Sequence, residues 1–529
     1  MSDRAAPSNR VQRINSEKKG FKPAVHWDVT VQPYFKAAFG ASGLDKLSEA
    51  LCRPPLINSF RLNLAKTPRE IALSHLSEAP DSVDEAHANR WSGHPNVPDV
   101  ISQKGTGPHV VDYQKTAGQE VIISRRAAEA VLRGAHVFVP GVMACSQDVH
   151  EGDLVAVSIA MEAPGTNGYV TRGSVIGSDL IPESTLYIGK GIAKFSRQAM
   201  FKETSGIGVE MTDRVFRLQP CHGMLPGLGM LQSLPSAVVA HVLAPLPGSQ
   251  VLDMCASPGG KSTHLAQLMG DQGRVVALDR THAKAQQIRS LAAELGLTCI
   301  EAFKMDATTA LQDSGPQAPA DMQPGVHVDA GQQHQSYAAS SLDTGSQAMP
   351  SAKEQLRRER KDKARAMHGQ APLQRSDLSS QPVCKGFPPE SFEYILLDAP
   401  CSALGLRPRL SHHTTLLDLM QTARYQRKLL RVAVQLLKPG GHLVYSTCTI
   451  NPGENEANVH FVLKTFDNMR LVSQQPYVAG HGLTGQYTHN DAHREDWLTP
   501  EQASLVQRFD PCSKTDTIGF FIAKFCKAL

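Results

Sequence analysis

Two cysteines that follow strand-like apolar runs are the residues of this chain best suited to covalent chemistry. Cys401 lies in "LLDAPCSALG" and Cys448 in "VYSTCTI". A single buried cysteine is usually a small apolar residue, whereas a thiolate is a nucleophile that attacks electrophilic carbon. Two cysteines at the ends of neighbouring strands favour thiolate chemistry. Their spacing alone leaves them equal candidates for the attacking sulfur.

A Gly-Gly turn lies between the first strand and the first helix of the segment that carries both cysteines. It occurs in "DMCASPGGKS", from Asp253 to Ser262. Glycines let a ligand approach the backbone closely, and the N–H groups at the start of the following helix suit an anionic oxygen. The loop is not a P-loop, because that motif requires glycine where this chain has Cys255. The turn alone is weak evidence, because many such loops have glycines for packing.

Three aspartates end successive strands of the same segment, namely Asp279, Asp306 and Asp398. An acid about 20 residues after a glycine turn is suited to bind ribose hydroxyls. One acid at such a position is often only a helix cap, but three of them indicate a site for a nucleoside-type cofactor. Two cysteines beside such a site strengthen the expectation of thiolate chemistry.

The elements that position these residues alternate between strand and helix from Pro235 onward. Strands such as "QVLDM", "RVVALD" and "FEYILLD" are separated by helical segments such as "HAKAQQIRSLAAELG". This alternation predicts an α/β fold with a Rossmann-like, doubly wound parallel sheet, in which ligands bind beyond the carboxyl ends of the strands. Upstream, short strand-like runs with Gly or Asp turns predict an inserted small β-barrel domain.

Composition and pattern divide the chain into four parts. We expect a flexible tail at 1–25, an N-terminal segment that packs on the catalytic domain at 26–112, a β-barrel domain at 113–212 and the α/β domain at 213–529. A stretch with few large apolar residues interrupts the last part at 311–388, and we expect it to be a disordered insertion. We interpret its charged run "KEQLRRERKDKARA" as solvated rather than as an RNA contact.

Length and composition limit the class of protein. The 529 residues exceed one ordinary core. A hydrophobic content of 41% and a net charge of +4 are typical of a globular chain that tolerates an anionic partner. The apolar runs are too short for a membrane helix, and the polar start lacks the features of a secretory signal. Ten cysteines without zinc spacing predict reduced thiols. We expect a cytoplasmic or nuclear monomer with no metal and no membrane partner.

Four motifs resemble those of the Sun-family RNA cytosine-5 methyltransferases: "LDMCASPGGKS", "LLDAPCSALGLRP", "LLKPGGHLVYSTCTINPGENE" and "DTIGFFIAKF". The similarity runs from Pro235 to the end, except for the insertion, and the paired Pro-Cys and Thr-Cys motifs are highly specific to that family. Residues 113–212 resemble a PUA RNA-binding domain. A PUA domain before this catalytic core matches the member-six type, which methylates a cytosine near the 3′ end of the acceptor stem of certain tRNAs, and some messenger RNA sites.

The resemblance implies a methyltransferase that uses S-adenosyl-L-methionine. Carbon 5 of cytosine becomes nucleophilic only after a thiolate adds to carbon 6, and the base must leave its stack for this attack. In the family the Thr-Cys cysteine, here Cys448, attacks, while the Pro-Cys cysteine, here Cys401, assists product release. Asp398 would hold the cytosine edge and Lys261 would face the base, unless Lys261 is an ordinary surface residue. The implied cofactor-binding residues are Cys255, Ala256, Ser257, Pro258, Gly259, Gly260, Lys261, Asp279, Asp306 and Asp398.

RNA contacts are expected in the PUA-like domain, where cations meet phosphates and aromatic rings stack on bases. The candidates are Arg125, Arg126, Arg133, Phe138 and Lys190. The member-six type usually has a lysine cluster before "LYIGKG", whereas this chain has "APGTNGYVTRG" with only Arg172. The exact tRNA preference therefore stays open. We expect the domain to bind the single-stranded 3′ end and to select which cytosine reaches Cys448.

Three alternative functions remain. A non-catalytic RNA-binding protein would use the barrel and the basic segments, but both cysteines and all three acids are intact. A DNA methyltransferase would use the Pro-Cys cysteine, Cys401, as its nucleophile. The same chemistry on ribosomal or messenger RNA, rather than tRNA, is the third.

Overall fold

The computed structural model describes residues 21–78, 91–160, 170–176, 185–218, 225–312, 384–489 and 493–529. Its strands are β1 (Ile57–Leu62), β2 (Ser92–Gly93), β3 (Val100–Lys104), β4 (Glu120–Ile123), β5 (Val137–Phe138), β6 (Val142–Ser146), β7 (Leu154–Ala160), β8 (Ser174–Ile176), β9 (Thr185–Ala193), β10 (Ile207–Arg214), β11 (Gly229–Leu231), β12 (Gln250–Asp253), β13 (Arg274–Asp279), β14 (Ile300–Lys304), β15 (Phe392–Asp398), β16 (Leu437–Thr447), β17 (Met469–Leu471), β18 (Gln486–His489), β19 (His493–Asp496), β20 (Val506–Phe509) and β21 (Phe520–Lys527).

The helices follow the same chain order. They are α1 (Val31–Phe39), α2 (Ala41–Cys52), α3 (Arg69–Glu78), α4 (Arg125–Leu132), α5 (Arg197–Lys202), α6 (Leu234–Leu243), α7 (Gly260–Leu268), α8 (His282–Glu294), α9 (Leu416–Leu436), α10 (Glu456–Thr465) and α11 (Pro500–Ala503). Within the described ranges, no helix combines the length and the hydropathy that crossing a membrane requires.

Eight strands form the sheet of the α/β domain, in the order β14-β13-β12-β15-β16-β21-β17, with β20 also beside β21. The first five are parallel to one another, whereas β21 is antiparallel to β16, β17 and β20. The predicted doubly wound parallel sheet is confirmed for its first five strands, and β21, β17 and β20 add an antiparallel edge that was not predicted from the sequence. A short connection joins β20 to β21, which antiparallel neighbours allow and parallel ones do not.

Helices cover both faces of this sheet. Successive side chains of a strand point to opposite faces, so Val251 joins the apolar cluster of α6 and α7, while Leu252 joins that of α9 and α10. Full burial of one such side chain contributes roughly 1.5–3 kcal/mol. The carboxyl ends of the strands are therefore held on a rigid, doubly covered support.

Seven strands between Glu120 and Arg214 form a second, mixed sheet in the order β5-β10-β9-β7-β4-β6-β8. Ser124, at the end of β4, caps α4 by accepting a hydrogen bond from Ala127 N, as serine at such a position does. The small β domain is present as expected. Its last strand ends at Arg214, beyond the expected boundary at residue 212.

The N-terminal segment joins the two larger parts. Residues of α1 and α2 share one apolar cluster with the second sheet and with Leu404 and Ile450 of the α/β domain. Phe21 lies edge-on against Phe216, with ring centroids 5.1 Å apart, and Val25 is buried. The expectation of a flexible tail through residue 25 is therefore wrong for residues 21–25, and residues 1–20 lie outside the described ranges. Strand β1 pairs with β3 on one side and with β11 on the other. Strand β11 lies in the part that was assigned to the α/β domain from the sequence.

The ends of the expected insertion at 311–388 are part of the fold. Leu311 forms a β-bridge with Phe387, and the Phe387 N–H donates to Ala310 O at 2.7 Å. The expectation of disorder is therefore wrong at these ends, because Leu311 and Phe387 are apolar residues that pack on the sheet core. The remainder, 313–383, lies outside the described residues, as does the charged run within it.

Candidate active site

Strand ends bring three aspartates and both cysteines to one edge of the large sheet. Asp253, Asp279 and Asp398 are the last residues of β12, β13 and β15. Asp398 pairs in register with Ser446 of β16. Because Cys401 and Cys448 come shortly after these paired residues, both thiols reach the same edge.

The two sulfur atoms, of Cys401 and Cys448, lie 3.4 Å apart, within hydrogen-bond distance for sulfur. With the Cys401 thiol as donor, this bond lowers the pKa of Cys448, and Lys261 lowers it further, while burial and Asp398 oppose the change. The same bond raises the pKa of Cys401, and burial and Glu454 raise it further. The lowered pKa of Cys448 agrees with the thiolate role that the family resemblance implies for it.

Lys261 turns into the site from the first turn of α7. Its Nζ lies 2.8 Å from Asp398 Oδ2 and 5.4 Å from the centre of the Phe520 ring. Ser446 donates to the other oxygen of Asp398 at 2.7 Å. The side chain of Lys261 is 13% exposed, so the alternative of an ordinary surface lysine is wrong. The carboxylate of Asp398 is fixed between two donors beside the thiol pair.

The Gly-Gly loop is held against the end of β13. Gly259 has a φ of +111°, and a Cβ there would lie 3.2 Å from Ile288 Cα, so both conformation and packing favour glycine. Ser257 N donates to Asp279 Oδ2 at 3.2 Å, and Lys284 Nζ lies 3.1 Å from Asp279 Oδ1. Asp279 therefore orients the loop that begins α7.

A cavity of about 230 Å³ opens beside this loop. It is lined by Met230, Leu231, Gln232, Ser233, Ser236, Asp253, Cys255, Ala256, Ser257, Pro258, Gly260, Lys261 and Asp398. Most predicted cofactor residues thus surround one space. Gly259, Asp279 and Asp306 do not line it. The Oδ1 of Asp306 accepts from Thr308 N and Oγ1 at 3.0 and 2.8 Å, as the cap of a short turn.

Asp253 is a site residue that the sequence did not single out. It is almost fully buried, Ser262 donates to its Oδ2 at 2.7 Å, and its Oδ1 has no partner among the described residues. Burial raises the pKa of Asp253 to about 7. Its position at the end of the first strand was a signal, since the other strand-end acids were found that way. Residues from the stretch 230–236 complete the cavity, and their sequence shows no pattern that would have predicted a site there.

The cavity fits the amino-acid part of S-adenosyl-L-methionine. An unpartnered carboxyl oxygen of Asp253 suits an ammonium group, and the free N–H groups at the start of α7 suit a carboxylate. The opposite charges of an amino acid thus have separate partners on this wall.

The same arrangement occurs in known proteins. The model of the family "16S rRNA methyltransferase RsmB/F" matches residues 240–321 and 347–526, and that of the PUA domain matches 119–166. The rRNA (cytosine-C(5))-methyltransferase NOP2C of Arabidopsis thaliana is 40% identical over 97% of this chain and 92% of its own length. The tRNA (cytosine(72)-C(5))-methyltransferase NSUN6 of Mus musculus is 36% identical over 82% of this chain and 79% of its own length. The chain belongs to the RsmB/F, or Sun, family.

The crystal structure of NSun6 from Pyrococcus horikoshii with SFG, an analogue of S-adenosyl-L-methionine, resembles this RsmB/F-family chain in fold. The TM-score is 0.66 at 26% identity, covering 96% of this chain and 99% of that one. The expected family, fold class, PUA domain, cofactor and RNA cytosine-5 methyltransferase class are thereby confirmed.

The candidate RNA contacts in the PUA domain of this RsmB/F-family enzyme differ in accessibility. Arg126, Arg133 and Phe138 are exposed, whereas Arg125 is half-buried. Lys190 is mostly covered, because its Nζ donates to Asp112 O at 2.5 Å and its side chain is 15% exposed. The first three are therefore accessible to solvent, while Lys190 has a structural partner, and the RNA contacts stay a prediction.

Arg172, the one cation in the stretch that departs from the member-six pattern, is used inside the domain. Its guanidinium donates to Val139 O at 2.9 Å and to Val142 O at 2.8 Å. It also lies over the Phe201 ring, 5.5 Å from its centre. This arginine therefore stabilises the domain and does not replace the missing lysines.

One group within the described residues has the ligand types of a metal site, Asp99 with His241 and His264. The two carboxylate oxygens lie 2.7 and 2.6 Å from the Nε2 atoms of His241 and His264, which are hydrogen-bond distances. The cluster connects the N-terminal part to α6 and α7. The expectation that the enzyme uses no metal stays a prediction.

Proposed function

We propose that this enzyme methylates carbon 5 of a cytosine near the 3′ end of a tRNA acceptor stem, with Cys448 as nucleophile and Cys401 as the residue that assists release. The observation that carries the proposal is the pair of thiols 3.4 Å apart beside the cofactor cavity. A thiolate and a thiol at this distance suit a reaction in which one sulfur bonds to the base and must later leave it.

The first step is addition to the base. The Cys448 thiolate forms a bond to carbon 6 of cytosine, and the electron pair displaced from the carbon 5–carbon 6 double bond makes carbon 5 nucleophilic. Lys261, paired with Asp398, supplies the nearby positive charge that favours the thiolate and the electron-rich base. Bound S-adenosyl-L-methionine supplies the methyl group that carbon 5 takes.

The second step is release. A solvent base takes the proton from carbon 5, the electron pair of that bond restores the carbon 5–carbon 6 double bond, and the bond from carbon 6 to the Cys448 sulfur breaks. The sulfur leaves as a thiolate. The Cys401 thiol, 3.4 Å away, stabilises this leaving group by donating its hydrogen bond.

The tRNA substrate is supported by the PUA domain and by the relatives that carry it. The Mus musculus relative is named for cytosine 72 of tRNA. In this chain Glu129 of α4, in the PUA domain, accepts from Leu410 N at 3.2 Å, so the domain contacts the loop that follows Cys401. This contact supports the proposal that the PUA domain binds the 3′ end while the cytosine reaches Cys448.

Ribosomal RNA is the second candidate substrate, because the Arabidopsis thaliana relative at 40% identity is named for it. Purified enzyme with methyl-labelled cofactor separates the candidates, using tRNA transcripts with and without the 3′ end, ribosomal RNA fragments and DNA. We expect label in a cytosine near the 3′ end of tRNA, lost without that end and lost in Cys448→Ala. Label in ribosomal RNA alone would contradict the tRNA proposal, and label in DNA alone would contradict the RNA assignment.

A further inference from the structure

A buried carboxylate is hydrogen-bonded to the residue that follows Cys401. Glu454 is 0% exposed and ends the short turn Pro452–Glu454. Its Oε2 accepts from Ser402 N at 2.9 Å and from Gln426 Nε2 at 2.8 Å. Its Oε1 accepts from Asn451 Nδ2 at 3.0 Å and from Ser402 Oγ. Four donors around two oxygens fit the ionised form, although burial raises the pKa of Glu454.

These hydrogen bonds fix the chain on both sides of Cys401. Glu454 holds Ser402, the next residue, through its backbone and its hydroxyl. Gln426, which donates to Glu454, also donates to Pro400 O at 2.9 Å, on the other side of the cysteine. The Gln426 amide is oriented in turn by Asn458, whose Nδ2 donates to its Oε1 at 2.8 Å.

The same network reaches the second cysteine. Ser402 Oγ lies 2.8 Å from Oγ1 of Thr449, the residue after Cys448. The two loops that carry the thiols are therefore joined through Ser402 and Glu454. The distance between the sulfur atoms depends on this connection and not only on the strands behind it.

The ionised groups around the thiol pair act in opposite directions. The negative charge of Glu454 raises the pKa of both cysteines, Asp398 raises that of Cys448, and Lys261 lowers that of Cys448. Tyr445, the remaining titratable neighbour, is buried with a pKa raised by that burial, so it stays neutral. Glu454 thus opposes ionisation of both cysteines, and for Cys401 it adds to the effects of the hydrogen bond with Cys448 and of burial.

We infer that Glu454 is a positioning residue for product release: it holds Cys401 in place and keeps it a thiol, so that Cys401 can donate a hydrogen bond to the Cys448 sulfur as its bond to carbon 6 breaks. The inference rests on the proposed function, since release from the Cys448 adduct is the step concerned. Addition of Cys448 to the base is expected to depend on this network less, because Lys261 and Asp398, which pair with each other, also act on Cys448.

Glu454→Gln tests the inference, because an amide replaces one acceptor by a donor that faces the existing donors. Single-turnover reactions with labelled tRNA, quenched in denaturant, give the rate at which the protein–RNA adduct forms and the rate at which it decays. Decay is expected to slow by up to about 100-fold, which is the cost of misplacing a reacting group by about 1 Å, with formation changed less than about threefold. The pH profile of adduct decay should move to lower pH, because the charge of Glu454 that raises the pKa of both cysteines is gone. Glu454→Asp keeps the charge and should restore part of the decay rate and the original pH profile.

Glu456→Gln is the matched control. Glu456 is equally buried two positions along the chain, but it binds Arg508 and Leu483 N instead of the cysteine loops. Its substitution should leave the ratio of the decay rate to the formation rate unchanged. If Glu454→Gln does not fold, Ser402→Ala carries the test, since it removes only the hydroxyl between Glu454 and Thr449, and at least threefold slower decay is expected.

An equal fall of both rates in the folded variant would overturn the inference and leave Glu454 a purely structural residue. Wild-type decay in the folded Glu454→Gln protein, or in Ser402→Ala where that variant carries the test, would overturn it as well. If wild-type enzyme forms no adduct with any RNA, the proposed function fails instead, so the two failures are distinguishable.

Discussion

Replacing Cys401 by alanine should raise the pKa of Cys448. The two sulfur atoms lie 3.4 Å apart, and with the Cys401 thiol as donor their hydrogen bond is the main cause of the lowered pKa of Cys448. Alanine removes the donor, while Lys261, Asp398 and Glu454 stay in place. The thiolate form of Cys448 is then stabilised less, while its neutral thiol form is unchanged. The pKa of Cys448 therefore rises.

The size of the change follows from the strength of one hydrogen bond. A bond to a charged group is worth about 1.5–3 kcal/mol, and one pKa unit corresponds to about 1.4 kcal/mol. Since a thiol is a weak donor, we expect a shift of about one unit. At a pH below both values, the thiolate fraction falls about tenfold with such a shift. The more basic thiolate is intrinsically about threefold more reactive, so the rate of alkylation falls only about threefold.

Alkylation by iodoacetamide, followed at the Cys448 peptide by mass spectrometry between pH 6 and pH 10, measures this shift. The midpoint should move up by about one unit in Cys401→Ala. Cys401→Ser is the control, because its hydroxyl keeps a donor at the same position and the midpoint should stay closer to that of the wild type. Equal midpoints for wild type and Cys401→Ala would refute the assignment of Cys401 as donor and Cys448 as thiolate.

Three further predictions concern stability and RNA binding. Glu456→Gln breaks a buried ion pair with Arg508 and should lower the free energy of unfolding in urea by about 3 kcal/mol; an unchanged value would contradict the assigned pair. Burial raises the pKa of Asp253 to about 7, so the folded enzyme holds a proton that the unfolded chain releases near pH 4. The free energy of unfolding should therefore fall as the pH rises from about 4 to about 7. The fall is roughly 4 kcal/mol at most, and Asp253→Asn should remove it, which urea unfolding at both pH values checks. Arg172→Gln should lower the melting temperature and leave the salt dependence of RNA binding unchanged, whereas exposed Arg126→Gln should keep the melting temperature and reduce the salt slope by about 1.

The sequence was informative where chemistry follows strand order. Parallel strands place their carboxyl ends at one edge, so Asp279, Asp398 and both cysteines could be assigned to one site before any coordinates. The same argument placed Asp306 at that edge, but the structure uses its carboxylate as a turn cap.

Contacts between segments far apart in the chain could not be predicted from the sequence. Spacing could not rank Cys401 and Cys448, because the difference between their pKa values depends on the hydrogen bond between the two sulfur atoms and on the charge of Lys261. No local pattern shows these contacts. Lys261 had the pattern of a surface helix residue, yet the ion pair with Asp398, far along the chain, draws it into the site. Phe21 was assigned to a tail because one aromatic residue in a polar stretch gives no periodicity.

The central claim is that Cys448 bonds to carbon 6 of the target cytosine. The most direct measurement uses wild-type enzyme, S-adenosyl-L-methionine and tRNA that carries 5-fluorocytidine, since fluorine cannot leave as a proton and the adduct stays bound. Digestion and mass spectrometry then identify the peptide that holds the RNA. The account predicts the peptide with Cys448, and an adduct on Cys401 would contradict it.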